Sequence, residues 1–157
     1  MSFDTFHSIA EVAATFAGFV GLMVVLMRSD HAFARHLIVD FLYVTLGAVV
    51  FAYLPELIAG VGRSDTAAWR ISCGSFGAYH LWIYTVSIVR QKTLRPQGPI
   101  QLMITIASAP VILLKLAVGA GFLVNHAHEI YFLGLAWLVF IAIYVFSMMV
   151  LEETGRE

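Results

Sequence analysis

The character of the chain is set by one stretch, Asp4-Thr-Phe-His7-Ser-Ile-Ala-Glu11-Val-Ala-Ala-Thr15-Phe-Ala-Gly18-Phe-Val-Gly21. It begins a long apolar run, yet ionisable and hydroxyl side chains recur in it every three or four residues. At 100° per residue a helix places these side chains on one stripe about 80° wide. The stripe consists of Asp4, His7, Glu11 and Thr15. An ionisable residue at membrane depth indicates a functional site.

Small residues form two further rows on the same predicted helix. Within each row they are spaced about one helical turn apart, and such rows let helix backbones approach closely in a membrane. The packing is expected either within one chain or between copies. The rows are Ala10, Ala14 and Gly18, and Ala13, Ala17 and Gly21.

Composition places the whole chain in a bilayer. Its 157 residues are 61% hydrophobic and 12% charged, with a mean hydropathy of +0.88, which is typical of a multi-pass membrane protein. The net charge of −1 gives no reason to expect a nucleic-acid partner. The single cysteine, Cys73, excludes an intramolecular disulfide and a cysteine-based metal cage.

Five apolar runs are long enough to cross about 30 Å of hydrocarbon. Gly, Pro, Asn or charged residues separate them, as expected of turns. The runs predict an all-α fold, a single domain over residues 1–157 built as a bundle of five transmembrane helices. No internal repeat is visible, which disfavours an inverted-repeat transporter. The predicted spans cover residues 6–27, 37–61, 71–89, 100–123 and 130–151.

Basic residues in the predicted loops indicate the orientation. Six lie on one side and two on the other, so the positive-inside rule places the N-terminus outside and the C-terminus in the cytoplasm. A cytoplasmic rim is expected to contact anionic lipid or a soluble partner protein, and it consists of His31, Arg35, His36, Asp40, Arg90, Lys92 and Arg95. The six are Arg28, Arg35, Arg90, Lys92, Arg95 and Arg156, and the two are Arg63 and Arg70.

Three ionisable residues fall in the outer half of the predicted bundle. At 1.5 Å per residue, Glu11 lies roughly 8 Å deep and Lys115 roughly 12 Å deep, and Glu56 follows Pro55 near the outer end of the second span. Since paired charges are tolerated at such depth, we predict that Glu11 or Glu56 pairs with Lys115. The pair would serve an ion pathway or fix helix register.

His80 lies near the middle of the third predicted span. A buried histidine transfers protons or holds haem, or it stays neutral and bonds a hydroxyl or a carbonyl. Haem is not expected, because a haem held by two histidines needs a second one at matching depth and the sequence offers none.

The outer surface carries one combination of residue types that suits a divalent metal. His126 and His128 lie in the turn before the fifth span, on the side where His7 and Glu11 enter as an i,i+4 pair. Imidazole and carboxylate groups together bind divalent ions. Their spacing matches no specific metal motif, so a metal is an open alternative and no other cofactor is predicted.

Two segments carry a likeness to other proteins. The run Ile9-Ala-Glu11-Val-Ala-Ala-Thr-Phe-Ala-Gly-Phe19 and the tripeptide Leu54-Pro55-Glu56 resemble an uncharacterised group of small bacterial multi-pass inner-membrane proteins with an IAExxATFAGF-type first helix. The resemblance implies a bacterial inner-membrane location. It implies no activity, ligand or catalytic residue.

Three classes of function are compatible with these patterns. One is a homo-oligomeric cation channel with acidic and histidine rings at an outer mouth. Another is a non-catalytic module, such as a sensor, an assembly factor or a partner subunit, whose buried polar residues hold helices together. A membrane enzyme or redox protein is the third, and no catalytic spacing supports it.

Overall fold

The computed structural model describes residues 3–26, 32–62, 64–94 and 99–154. Across these ranges the chain forms five α-helices and one short 3₁₀ helix. In chain order they are α1 (Phe3–Leu26), α2 (Ala32–Gly60), α3 (Asp65–Leu94), α4 (Pro99–Gly119), the 3₁₀ turn (Val124–His126) and α5 (Ala127–Thr154). The predicted all-α class is confirmed, and each predicted span corresponds to one helix.

Among the described residues, three helical segments are long and apolar enough to cross a membrane, namely Ile38–Gly60, Ile100–Gly119 and Val124–Leu151. The predicted spans 6–27 and 71–89 are not among them. The helix α3 is the most polar of the five, because Arg70, His80 and several Ser and Gly residues interrupt its apolar sequence. A five-span bundle is therefore still a prediction. So is its orientation, since Arg28, Arg63, Arg95 and Arg156 lie outside the described residues.

The fourth helix ends at Gly119, whereas the sequence predicted a span that continues to residue 123. A Schellman turn explains the early end. The Phe122 N–H donates to the Ala117 carbonyl and the Gly121 N–H donates to the Val118 carbonyl, both at 2.9 Å. Gly121 has a φ of +100°, which glycine adopts without steric cost. A hydropathy pattern does not register this stop, because the residues that follow it are still apolar.

The fifth helix lies at the centre of the bundle and contacts each of the other four helices. Its buried face carries Tyr131, Leu135, Leu138 and Ala142 at one-turn spacing. Around it, α1 packs on α2 and α3 packs on α4, and α2 and α3 contact each other. Chain neighbours are thus also neighbours in space, as short connections favour.

The backbones of α3 and α4 approach each other closely at two glycines. A Cβ added to Gly119 would lie 2.5 Å from the Gly74 Cα, and one added to Gly77 would lie 2.9 Å from Leu116 Cδ2. No side chain fits at the first point, so the two helices meet through bare backbone. The contact also fixes their antiparallel register.

The small-residue rows of α1 do not pack as units against the rest of the chain. Ala10 and Ala13 are buried beside Phe6, and Ala17 is half-buried. The other three members are exposed, and a Cβ added to either glycine would have no neighbour within 4 Å. The exposed members are Ala14, Gly18 and Gly21.

We expect Gly119→Ala to destabilise the bundle by about 1–3 kcal/mol, because its methyl group would overlap the backbone of α3. The measurement is the free energy of unfolding in mild detergent. Gly60→Ala is the matched control and should change it little, because the site is open. Equal effects of the two substitutions would contradict the contact described for Gly119.

Candidate functional site

A proline leaves one backbone carbonyl of α2 without its helical donor. Pro55 has no N–H, so the carbonyl of Phe51, four residues earlier, receives no bond from within the helix. The Tyr131 hydroxyl of α5 donates to this carbonyl at 2.5 Å. Tyr131 is fully buried, and an orphaned carbonyl in such a place would be costly. The phenol therefore replaces the missing amide and joins α5 to α2.

Aromatic rings surround this hydrogen bond. Tyr131 has edge contacts with Phe6 of α1 at 5.9 Å, Trp69 of α3 at 5.6 Å and Phe76 of α3 at 5.2 Å between ring centroids. Phe76 also stacks on Phe51 with centroids 4.7 Å apart. Aromatic pairs in these geometries are more favourable than their buried area alone. Four of the five helices meet in this cluster.

A buried pair of basic side chains lies against the same cluster. Lys115 Nζ is 2.6 Å from His80 Nδ1 and 3.6 Å from the centroid of the Phe76 ring. The lysine is fully buried and His80 is 2% exposed. A Cβ added to Gly134 of α5 would lie 2.9 Å from Lys115 Cδ. Absence of a side chain at Gly134 leaves room for the lysine, and the ring face stabilises a cation there.

The predicted ion pair between Lys115 and Glu11 or Glu56 is wrong, because the structure gives each group a different environment. The early end of α4 places Lys115 only one turn from the end of the helix. The Gly74–Gly119 contact sets a register in which Lys115 lies opposite His80. The sequence identifies Lys115 and His80 as unusual residues, but it does not predict that they pair with each other. The glycines on α3 are the signal from which that register could have been inferred.

Glu56 has its own partner on α1. His7 Nε2 and Glu56 Oε2 are 2.8 Å apart, and their side chains are 33% and 51% exposed. The Tyr53 ring lies beside His7, tilted by 30°, with centroids 4.8 Å apart. This contact ties α1 to α2 near the end of the bundle. In water such a partly exposed pair contributes little stability.

Glu11 lies on the exposed face of α1. The Thr15 hydroxyl donates to the Glu11 backbone carbonyl at 2.8 Å, a bond within the helix that leaves the carboxylate uninvolved. Glu11 therefore points away from the buried pair, on the stripe shared with His7 and Thr15. The side chain of Asp4, the fourth member of the predicted stripe, lies outside the described part.

The histidines proposed as metal ligands are not brought together. His126 is exposed, and the His128 ring packs on Trp69 with centroids 3.8 Å apart. His7 contacts Glu56 and not Glu11. Within the described ranges no three His, Cys, Asp or Glu side chains are grouped so that they could hold a metal ion. His7, Glu11, His126 and His128 thus form no ligand set there.

Comparison with protein-family models, with curated proteins and with solved structures found no match to the chain. Its function is therefore inferred from the placement of the polar residues. One set, Lys115 and His80, is sealed inside the bundle. The other, centred on Glu11, is exposed on α1.

We expect Tyr131→Phe to destabilise the protein by about 1–3 kcal/mol, because the Phe51 carbonyl would remain buried without a donor. Pro55→Ala restores an N–H that can bond this carbonyl within α2. In the Pro55→Ala background the same tyrosine substitution should have a much smaller effect. A double-mutant cycle on the free energy of unfolding measures the difference, and additive effects would contradict the assignment.

Proposed function

We propose that the chain is a multi-pass protein of the bacterial inner membrane that assembles from several copies and conducts cations. The proposal includes five spans, an outside N-terminus and a cytoplasmic C-terminus. Hydropathy and the basic-residue asymmetry support the topology. The resemblance of the first helix supports the bacterial location.

The observation that carries the proposal is the exposure of Glu11 on α1. In a single copy inserted in a bilayer, this face would present a carboxylate to lipid. That exposure costs a few kcal/mol or more at membrane depth. Contact with another protein surface or with water removes the cost. Glu11 is therefore expected to face a second copy or a hydrated path between copies.

The rest of the α1 stripe supports close contact between copies. Ala14, Gly18 and Gly21 are exposed on the side of the helix that carries Glu11. With no neighbour within 4 Å of either glycine, the α1 helix of another copy could approach to backbone distance. Repetition around an axis would place Glu11 in a ring, and acidic rings favour cations.

The interior of one protomer is a poor route for cations. Lys115 and His80 lie there against Phe76, in a cluster filled by aromatic side chains. A buried positive charge repels a passing cation in a medium of low dielectric constant. Conduction between protomers avoids both obstacles. This difference between the inside and the α1 surface supports an intermolecular path.

The buried pair favours one alternative, a non-catalytic module. Lys115–His80 joins α4 to α3, and His7–Glu56 joins α1 to α2. Polar contacts of this kind hold membrane helices together without any transport role. A sensor, assembly factor or partner subunit would need nothing more from them.

The first test is cation flux through the purified protein in liposomes. Wild type should pass K⁺ in preference to Cl⁻, and Glu11→Gln should lower that preference by on the order of tenfold as the local cation concentration falls. Glu129→Gln, at an exposed carboxylate of α5, is the matched control and should match wild type. Absence of ion flux in wild type would overturn conduction and favour the non-catalytic module.

A second test addresses the α1 contact by disulfide cross-linking in membranes. Gly18→Cys should form covalent dimers rapidly under oxidant, because close α1 helices would bring the two thiols together. The native thiol of Cys73 is buried and should not interfere. Leu113→Cys, which is 66% exposed on α4, is the control for random collision. Equal cross-linking of the two variants would contradict an α1 interface.

A further inference from the structure

Among the described residues, no acidic side chain contacts the pair formed by Lys115 and His80. Both side chains are buried, and the polar and ring contacts described for Lys115 are with His80 and Phe76. Burial of a cation normally demands a carboxylate or several hydrogen bonds. Two basic groups in mutual contact are an uncommon way to bury a lysine. Their chemistry limits the number of protons that the pair can bind.

The other titratable groups around the pair are few and neutral in character. On α3 the group is the buried thiol of Cys73, which belongs to the same buried cluster as Phe76 and donates to the Ala127 carbonyl. On α5 it is Tyr131, whose hydroxyl donates to Phe51 of α2. Described contacts of the pair include no charged side chain from α1, α2 or α5. No charged side chain among these described contacts therefore neutralises an added positive charge at the pair.

A separation of 2.6 Å between the two nitrogens accommodates one hydrogen. Either the Lys115 ammonium donates to a His80 ring that carries its proton on Nε2, or the His80 Nδ1–H donates to a neutral amine. If both nitrogens carried the protons that they bind in acidic water, two hydrogens would compete for one bond. Two cations would also stand in contact, and their repulsion in the interior would be large.

We propose that the Lys115–His80 pair is a buried proton-binding site that couples protonation to the packing of α3 against α4. Binding of a second proton breaks the hydrogen bond and drives the two side chains apart. Two separate side chains in acidic water bind two protons, whereas the packed pair binds at most one. Linkage therefore makes acidification favour the loosened state.

The position of the pair explains why its separation would affect the helices. The contacts Gly74–Gly119 and Gly77–Leu116 lie within two turns of it, on the same two helices. These contacts bring backbone against backbone or against a leucine side chain. They are therefore too tight to accommodate a displacement of either helix. A change at the pair is thus transmitted to the whole α3–α4 interface. The site works within one protomer, so it does not depend on cation conduction.

The protonation state is tested by nitrogen NMR of the full chain in nanodiscs, with ¹⁵N-labelled histidine and lysine. The His80 signals are identified by their loss in His80→Gln. Between pH 8 and pH 4, wild type should show the His80 and Lys115 signals change together as the hydrogen bond breaks. Unchanged His80 and Lys115 signals over this range would overturn the proposal.

The coupling is tested by hydrogen exchange of the α3 and α4 amides over the same range. Acidification should accelerate exchange in wild type, beyond the intrinsic pH effect, by about tenfold. His80→Gln keeps an acceptor for the lysine but binds no proton, so its acceleration should be absent. His126→Gln is the matched control and should behave like wild type.

Lys115→Met provides a second test should His80→Gln fail to fold. It removes the amine and keeps an unbranched apolar chain, so His80 is left without a cationic neighbour. The acid-induced acceleration of exchange should then be lost or strongly reduced. Acceleration equal to wild type in this variant, or titration of the pair without any change in exchange, would overturn the coupling.

Discussion

A single hydrogen bond determines where the central helix lies. Pro55 deprives the Phe51 carbonyl of its helical donor, and the Tyr131 hydroxyl of α5 supplies the replacement. A carbonyl that is buried away from water must find a donor, so the depth and rotation of α5 are constrained by a defect in α2. Gly134 lies three residues after Tyr131, on the same helical face. The same constraint therefore brings Gly134 against Lys115 and leaves room for the amine.

The polar residues of the chain lie in two contrasting environments. Lys115 and His80 are sealed among aromatic rings, where each is the other's hydrogen-bond partner. Glu11 and Thr15 lie on an open face, beside small residues that have no neighbour. The first arrangement is complete within one protomer. The second is incomplete unless something covers it, and this contrast underlies the proposals of an internal proton site and an external assembly face.

The helices could be predicted from hydropathy because every apolar run is long and its breaks carry strong turn residues. The end of α4 could not, since the Schellman turn at Gly121 is a backbone event among apolar side chains. Lys115, His80 and Glu56 were each recognisable as unusual residues. Their partners were not, because pairing depends on helix register, and the bare-backbone contact between Gly74 and Gly119 sets that register. Pro55 is enough to predict an unpaired carbonyl in α2. That Tyr131 is its substitute donor could not be predicted, because this depends on the three-dimensional arrangement.

The early end of α4 has a consequence for how the bundle would match a bilayer. Its 21 residues span roughly 31 Å at 1.5 Å per residue, close to the hydrocarbon thickness of about 30 Å. The 30 residues of α3 span roughly 45 Å by the same rise, so in a bilayer α3 would have to tilt or project beyond the apolar slab, with Trp69 and Arg70 suited to the headgroup region. A bilayer thicker than the length of α4 would still be thinner than the length of α3. Hydrophobic mismatch would then act first on the α3–α4 contact, and lipid chain length would become a mechanical input to the bundle.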